Sequence, residues 1–138
     1  MIRVYPEQLD AQLREGLRAC YVLCGNDPLL LQESQDSIRK AAQLADFQEH
    51  YTFILDAHTE WDSIFSTCQA LSLFASRQTL MLMLPENGPT APMAEPLLKL
   101  TTLLHDDILL VLRGTKLTKG QENSAWFKAL SDKGVFVS

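Results

Sequence analysis

The chain has 138 residues, with 12 Lys+Arg against 17 Asp+Glu and a formal net charge of -5 at pH 7. Its hydrophobic share is 46% and its charged share 21%, which fits one folded globular domain and excludes disorder. The acidic balance argues against a domain whose main task is to coat nucleic acid, because phosphate binding needs clustered positive charge.

No apolar run approaches the ~20 residues that span a bilayer. The N-terminus, Met1-Ile2-Arg3-Val4-Tyr5-Pro6-Glu7, lacks the apolar core of a signal peptide. A cytoplasmic location without membrane contact is the resulting expectation. Cys20 and Cys24 share an apolar run, where a strand would hold them roughly 13 Å apart on one face, too far for a disulfide. With Cys68 they are read as buried packing.

In chain order, Tyr5-Pro6-Glu7 opens a first helix, with Leu9, Leu13 and Leu17 along one stripe and Gly16 at its end. Ala19 to Cys24 is a continuous apolar run, as in a strand covered on both faces. Gly25-Asn26-Asp27-Pro28 is a turn, with Asp27 as helix cap and Pro28 at the first helical position. That helix runs to about Leu44. Tyr51 to Leu55 is a second strand, a helix follows from about Thr59-Glu60, and Thr79 to Leu84 is a third strand. After a Pro85–Pro89 loop come a helix at Pro96–Leu104 and a strand at Ile108–Leu112. A loop at Gly114–Gly120, a helix at Gln121–Leu130 and a strand at Gly134–Val137 complete the series. The expected fold is therefore α/β: a five-stranded parallel sheet with helices on both faces. Because the chain stops beside its fifth strand without a covering helix, a fragment of a longer protein is expected.

In such sheets, ligands sit beyond the carboxyl ends of the strands. A phosphate-binding loop after the first strand would read G-x-x-x-x-G-K-[ST]. Here the stretch Gly25 to Ile38 has one Gly and neither Lys nor Arg. Pro85-Glu86 after the third strand supplies one carboxylate and no Asp. A RecA-like nucleotide hydrolase is thus disfavoured. A receiver-like signalling domain would place Asp27 and Asp56 suitably, but lacks an acidic pair beside Asp27 and a Lys after the last strand. His50, His58 and His105 lack metal-ligand spacing, and no G-x-S-x-G elbow is present. Asp106-Asp107 reads as a solvated turn, and Arg113, Lys116 and Lys119 as a solvated face. No cofactor or metal is implied.

The most informative segment is Trp61 to Phe74. Trp61, Ile64, Phe65, Cys68 and Leu71 form one helical stripe that should face the sheet. If the helix continues, Leu73 and Phe74 lie about 140° and about 115° from the stripe centre, pointing away from the core. If it ends near Leu71, both could turn back into the core as part of a loop. An outward Leu-Phe pair reads as a docking site.

These residues carry a resemblance. Gln69-Ala70-Leu71-Ser72-Leu73-Phe74 is similar to the clamp-binding motif of bacterial replication proteins, Gln-Leu-Ser-Leu-Phe. Leu71 to Phe74 match in full, whereas Gln69 stands one place early, with Ala70 between. MIRVYPEQLDAQL, GNDPLLLQES, LSLFASRQTL followed by LPENGP, LLHDDILLVLRG and AWF extend the likeness along essentially the whole chain. Together they closely resemble the delta subunits of bacterial DNA polymerase III clamp loaders. The resemblance implies a RecA-like AAA+ N-terminal domain over residues 1–138 without a functional P-loop, its lid and collar domains absent here. It implies a non-catalytic subunit of the DNA polymerase III holoenzyme, a nucleotidyltransferase complex. Its partners would be the beta sliding clamp, whose open ring it favours, and the gamma/tau and delta-prime subunits. DNA would be reached only through the assembled loader. Leu73 and Phe74 would enter the clamp's hydrophobic pocket, supported by Leu71, with Ser72 and Gln69 beside them.

Overall fold

Among the described residues, six parallel strands form one sheet in the order β1-β6-β2-β5-β4-β3. The computed structural model describes residues 2–70 and 77–138. The strands are β1 (Ile2–Val4), β2 (Cys20–Cys24), β3 (Phe47–Ile54), β4 (Arg77–Met83), β5 (Ile108–Gly114) and β6 (Gly134–Val137). The helices are α1 (Leu9–Glu15), α2 (Pro28–Leu44), α3 (Trp61–Gln69), α4 (Ala94–Leu103), α5 (Lys119–Glu122) and α6 (Ala125–Asp132).

The expected α/β architecture is found, with six strands rather than five. The additional one, β1, is three residues long and pairs with β6 through Ile2–Val135, Arg3–Phe136 and Val4–Val137. Too short to show an alternating pattern, it is held by a partner more than 130 residues away. The Arg3 guanidinium lies 5.0 Å from the centre of the Phe136 ring.

Strands β2 and β5 are the sheet's centre, and nearly all their side chains are buried. Alternation divides them between two cores. Cys20, Val22, Leu80, Leu82, Leu110, Leu112 and Phe136 face α3, α4 and α6, which bring Ile64, Phe65, Leu97, Leu100, Phe127 and Leu130. Tyr21, Leu23, Met81, Leu109, Val111 and Val135 face α1 and α2 through Leu9, Ile38 and Ala42. Helices therefore cover both faces, as a parallel sheet requires.

Local chemistry sets several boundaries. Pro28 starts α2, and the Asp27 carboxylate accepts from the Leu29 and Leu30 backbone N–H groups at 2.9 and 3.4 Å. Gly16 ends α1 at a φ of 127°, a region open mainly to glycine. Strand β3 begins at Phe47, four residues before the expected Tyr51, because it is an edge strand whose polar Gln48, Glu49 and His50 need no apolar cover. A short 3-10 turn at Ala91–Met93 leads into α4 two residues before the expected Pro96, and α5 occupies the end of the expected Gly114–Gly120 loop.

All three cysteines are free and buried. Burial pushes the Cys20 and Cys24 thiols up to about 12 and that of Cys68 up to about 11. A thiol-specific reagent at pH 8 is therefore expected to label none of them in the native protein and all three after unfolding. The raised values also set a sign. Preference for the neutral thiol contributes stability that is complete below the ordinary thiol pKa near 9 and is lost as pH rises toward 12. Rapid native labelling would contradict the packing role.

Candidate protein-docking site

Two places could carry function: the carboxyl edge of the sheet and the connection between α3 and β4. At the carboxyl edge, the turn Gly25–Pro28 leads from β2 into α2. The Gly25 N–H donates to Gly114 O at 3.2 Å, and the Asp27 carboxylate occupies the first amides of α2. A cavity of about 280 Å³ opens beside this turn, walled by Pro6, Leu23, Leu30, Leu31 and Val137. Its one charged lining residue is Asp27. Phosphate recognition uses free helix-terminal amides and positive charge. At this turn the Leu29 and Leu30 amides are already paired to a carboxylate.

Arg113, which the sequence placed on a solvated face, turns inward along the edge. Its Nη1 donates to Gln32 Oε1 at 2.9 Å and to Gln35 Oε1 at 2.6 Å, tying β5 to α2. The Lys116 backbone N–H donates to Asn26 Oδ1 at 3.4 Å, and Thr115 Oγ1 donates to Glu86 O at 3.1 Å. These contacts knit the carboxyl-edge loops to one another. Among the described residues no His/Cys/Asp/Glu group could hold a metal ion, and no helix is long and apolar enough to cross a membrane.

At the second place, Ile64, Phe65 and Cys68 of α3 are buried as their spacing predicts, and Trp61 packs partly against them. The helix ends at Gln69. Ala70 is extended, with φ -65° and ψ 133°, and its N–H donates to Ser66 O at 2.8 Å. Of the two alternatives the sequence left open, α3 follows the one in which the helix stops, two residues before the expected Leu71. Gln69 is exposed at the helix end. Leu71, Ser72, Leu73 and Phe74 lie outside the described residues.

The residues flanking this connection converge on one turn, His105–Ile108. His105 Nδ1 accepts the Asp107 backbone N–H at 3.2 Å, so a neutral ring carries its proton on Nε2, 3.4 Å from Cys68 O. On the other side, the Gln78 N–H donates to Asp107 O at 2.8 Å and Arg77 Nε to Asp107 Oδ1 at 3.2 Å. Arg77 Nη1 also donates to Ala45 O at 2.9 Å, and its guanidinium lies 4.9 Å from the Phe47 ring centre. Asp106 and Asp107 are exposed in a turn, as the sequence reading expected, but the ties of His105 and Asp107 to the flanking elements were not foreseen. Their partners are about 30 residues or more away, so no local spacing signals them.

The family model described as "DNA polymerase III, delta subunit" matches residues 21–138. The chain belongs to the DNA polymerase III delta-subunit family. It is 65% identical over 138 residues to the DNA polymerase III subunit delta of Escherichia coli, covering all of this chain and 40% of that protein. It is 44% identical over 131 residues to the same subunit of Haemophilus influenzae, covering 95% of this chain and 38% of that one. The solved structure of a Bacillus subtilis DNA clamp loader delta protein superposes with a TM-score of 0.71 at 17% identity, over 96% of this chain and 42% of that one. At that identity the likeness concerns the fold. This delta-family chain thus spans about 40% of the length of the relatives it matches.

Proposed function

We propose that this chain is the clamp-binding domain of a clamp-loader subunit in DNA replication, with no catalytic activity of its own. The observation that carries the reading is Leu71-Ser72-Leu73-Phe74, a complete match to the clamp-binding pattern, standing just beyond α3 in a delta-family chain. The carboxyl edge supports it. There the helix-terminal amides are engaged by Asp27 and the adjoining cavity is apolar, an arrangement unsuited to a nucleoside triphosphate.

In this reading Leu73 and Phe74 insert into a hydrophobic pocket on the ring-shaped beta sliding clamp, Leu71 and Ser72 shape the approach, and Gln69 contacts the pocket rim from the end of α3. Ring opening is a population shift, because the domain binds the opened or relaxed interface more tightly than the closed one. Gamma/tau and delta-prime are its partners in the loader, ATP-driven changes in sister subunits expose it to the clamp, and DNA is met only through the assembled cytoplasmic loader.

The protein is expected to bind a purified sliding clamp, and a synthetic peptide of residues 69–76 in excess is expected to displace it, whereas a scrambled peptide is not. Surface plasmon resonance checks both. Absence of clamp binding, or binding that the peptide leaves untouched, would reject the reading.

A further inference from the structure

We propose that the turn His105–Ile108 is a positioning element for clamp recognition, holding both ends of the connection from α3 to β4. The inference rests on the clamp-binding reading above and adds residues outside its motif. Its basis is a convergence. One short turn reaches the last part of α3 through His105 Nε2 and Cys68 O, and the start of β4 through Asp107 with Arg77 and Gln78. The two attachment points bracket residues 70–76.

The chemistry gives each contact a direction. The Asp107 N–H fixes the His105 ring by donating to Nδ1, which leaves Nε2 as the donor toward the helix carbonyl. Carbonyls in the last turn of a helix have no intrahelical partner when the helix stops, so a side-chain donor there marks where α3 ends. At the β4 side, Arg77 divides its guanidinium between Asp107 and Ala45 O and covers Phe47. The ends of the connection are thereby referred to the sheet.

Recognition by a short segment loses affinity to the entropy of ordering it, and fixing its ends beforehand reduces that loss. His105 and Asp107 are therefore positioning residues, which act on the clamp through the segment they hold. The acidic turn needs no contact with the clamp.

The test compares His105→Ala, His105→Gln and Arg77→Gln in the same clamp-binding assay, with hydrogen exchange of residues 70–76. His105→Ala and Arg77→Gln are each expected to weaken binding about threefold to tenfold, as the loss of one hydrogen-bonded tie does. The change should appear in the dissociation rate, with faster amide exchange across 70–76 and, for His105→Ala, an unchanged melting temperature. His105→Gln keeps an amide N–H near the place of Nε2 and is expected to recover most of the affinity. A His105→Ala protein that binds and exchanges like the parent overturns the proposal, as does a His105→Gln protein as weak as His105→Ala. If the motif variant Leu73→Ala with Phe74→Ala binds normally, the clamp-binding reading itself has failed. If that variant loses binding while His105→Ala keeps it, only the positioning role has failed.

Discussion

Replacing Leu73 and Phe74 together by alanine is expected to weaken clamp binding by about 10²–10⁴-fold. Full burial of each side chain in a partner's pocket contributes roughly 1.5–3 kcal/mol, and each 1.4 kcal/mol is about tenfold in affinity. The cost of association falls on parent and variant alike, so little of the loss is hidden. It should appear mainly as faster dissociation, since encounter rates vary little among variants of one interface. Binding kinetics on an immobilised clamp measure it, with the far-UV circular dichroism spectrum required to stay native. An affinity equal to the parent's would remove Leu73 and Phe74 from the interface.

The second large effect concerns folding rather than docking. Gly134 opens β6 opposite Cys20 of β2. A Cβ built on Gly134 would stand 1.9 Å from Cys20 O and 2.6 Å from Cys20 C. Both are backbone atoms of a central strand, so no rotamer change relieves the overlap. Gly134→Ala must displace β6 from β2, and with it the Val135 and Phe136 side chains that enter the two cores. The expected loss is about 3–5 kcal/mol, in the range where single substitutions become exceptional. That is a large part of the roughly 5–15 kcal/mol that holds a domain folded. Gly120→Ala supplies the internal control, since its added Cβ meets Thr118 Oγ1 at an ordinary 3.8 Å within α5. Urea midpoints for the two variants should diverge sharply. A Gly134→Ala midpoint close to the parent's would show that the strands can part at little cost.

Much of the fold was legible because its strands are either buried on both faces or bounded by strong punctuation. The run from Cys20 to Cys24 could be read as a central strand without knowing its neighbours, and Asp27-Pro28 announced α2 through local capping chemistry alone. What escaped depends on distant partners. Strand β1 exists because β6 offers it a ladder, and β3 starts early because an edge strand tolerates polar residues such as Gln48 and Glu49. The end of α3 was open in the sequence. The spacing of Trp61, Ile64, Phe65, Cys68 and Leu71 is compatible with a longer helix, and neither glycine nor proline interrupts it before Phe74. The helix nevertheless stops at Gln69. Of the candidate site, the Leu-Ser-Leu-Phe pattern was visible as a string of residues. The frame made by Arg77, His105 and Asp107 was not, because its members are joined only through the folded sheet.

Asp27 has a consequence for redesign. Grafting a lysine into the turn after β2 would not turn this domain into a triphosphate binder. A tethered carboxylate competes for the same amides at an effective concentration no diffusing ligand matches. Once displaced, it would repel the intruder's charge at close range. The Asp27 carboxylate already sits on the amides such a ligand would use, so a lysine graft that leaves Asp27 in place is expected to gain little triphosphate affinity.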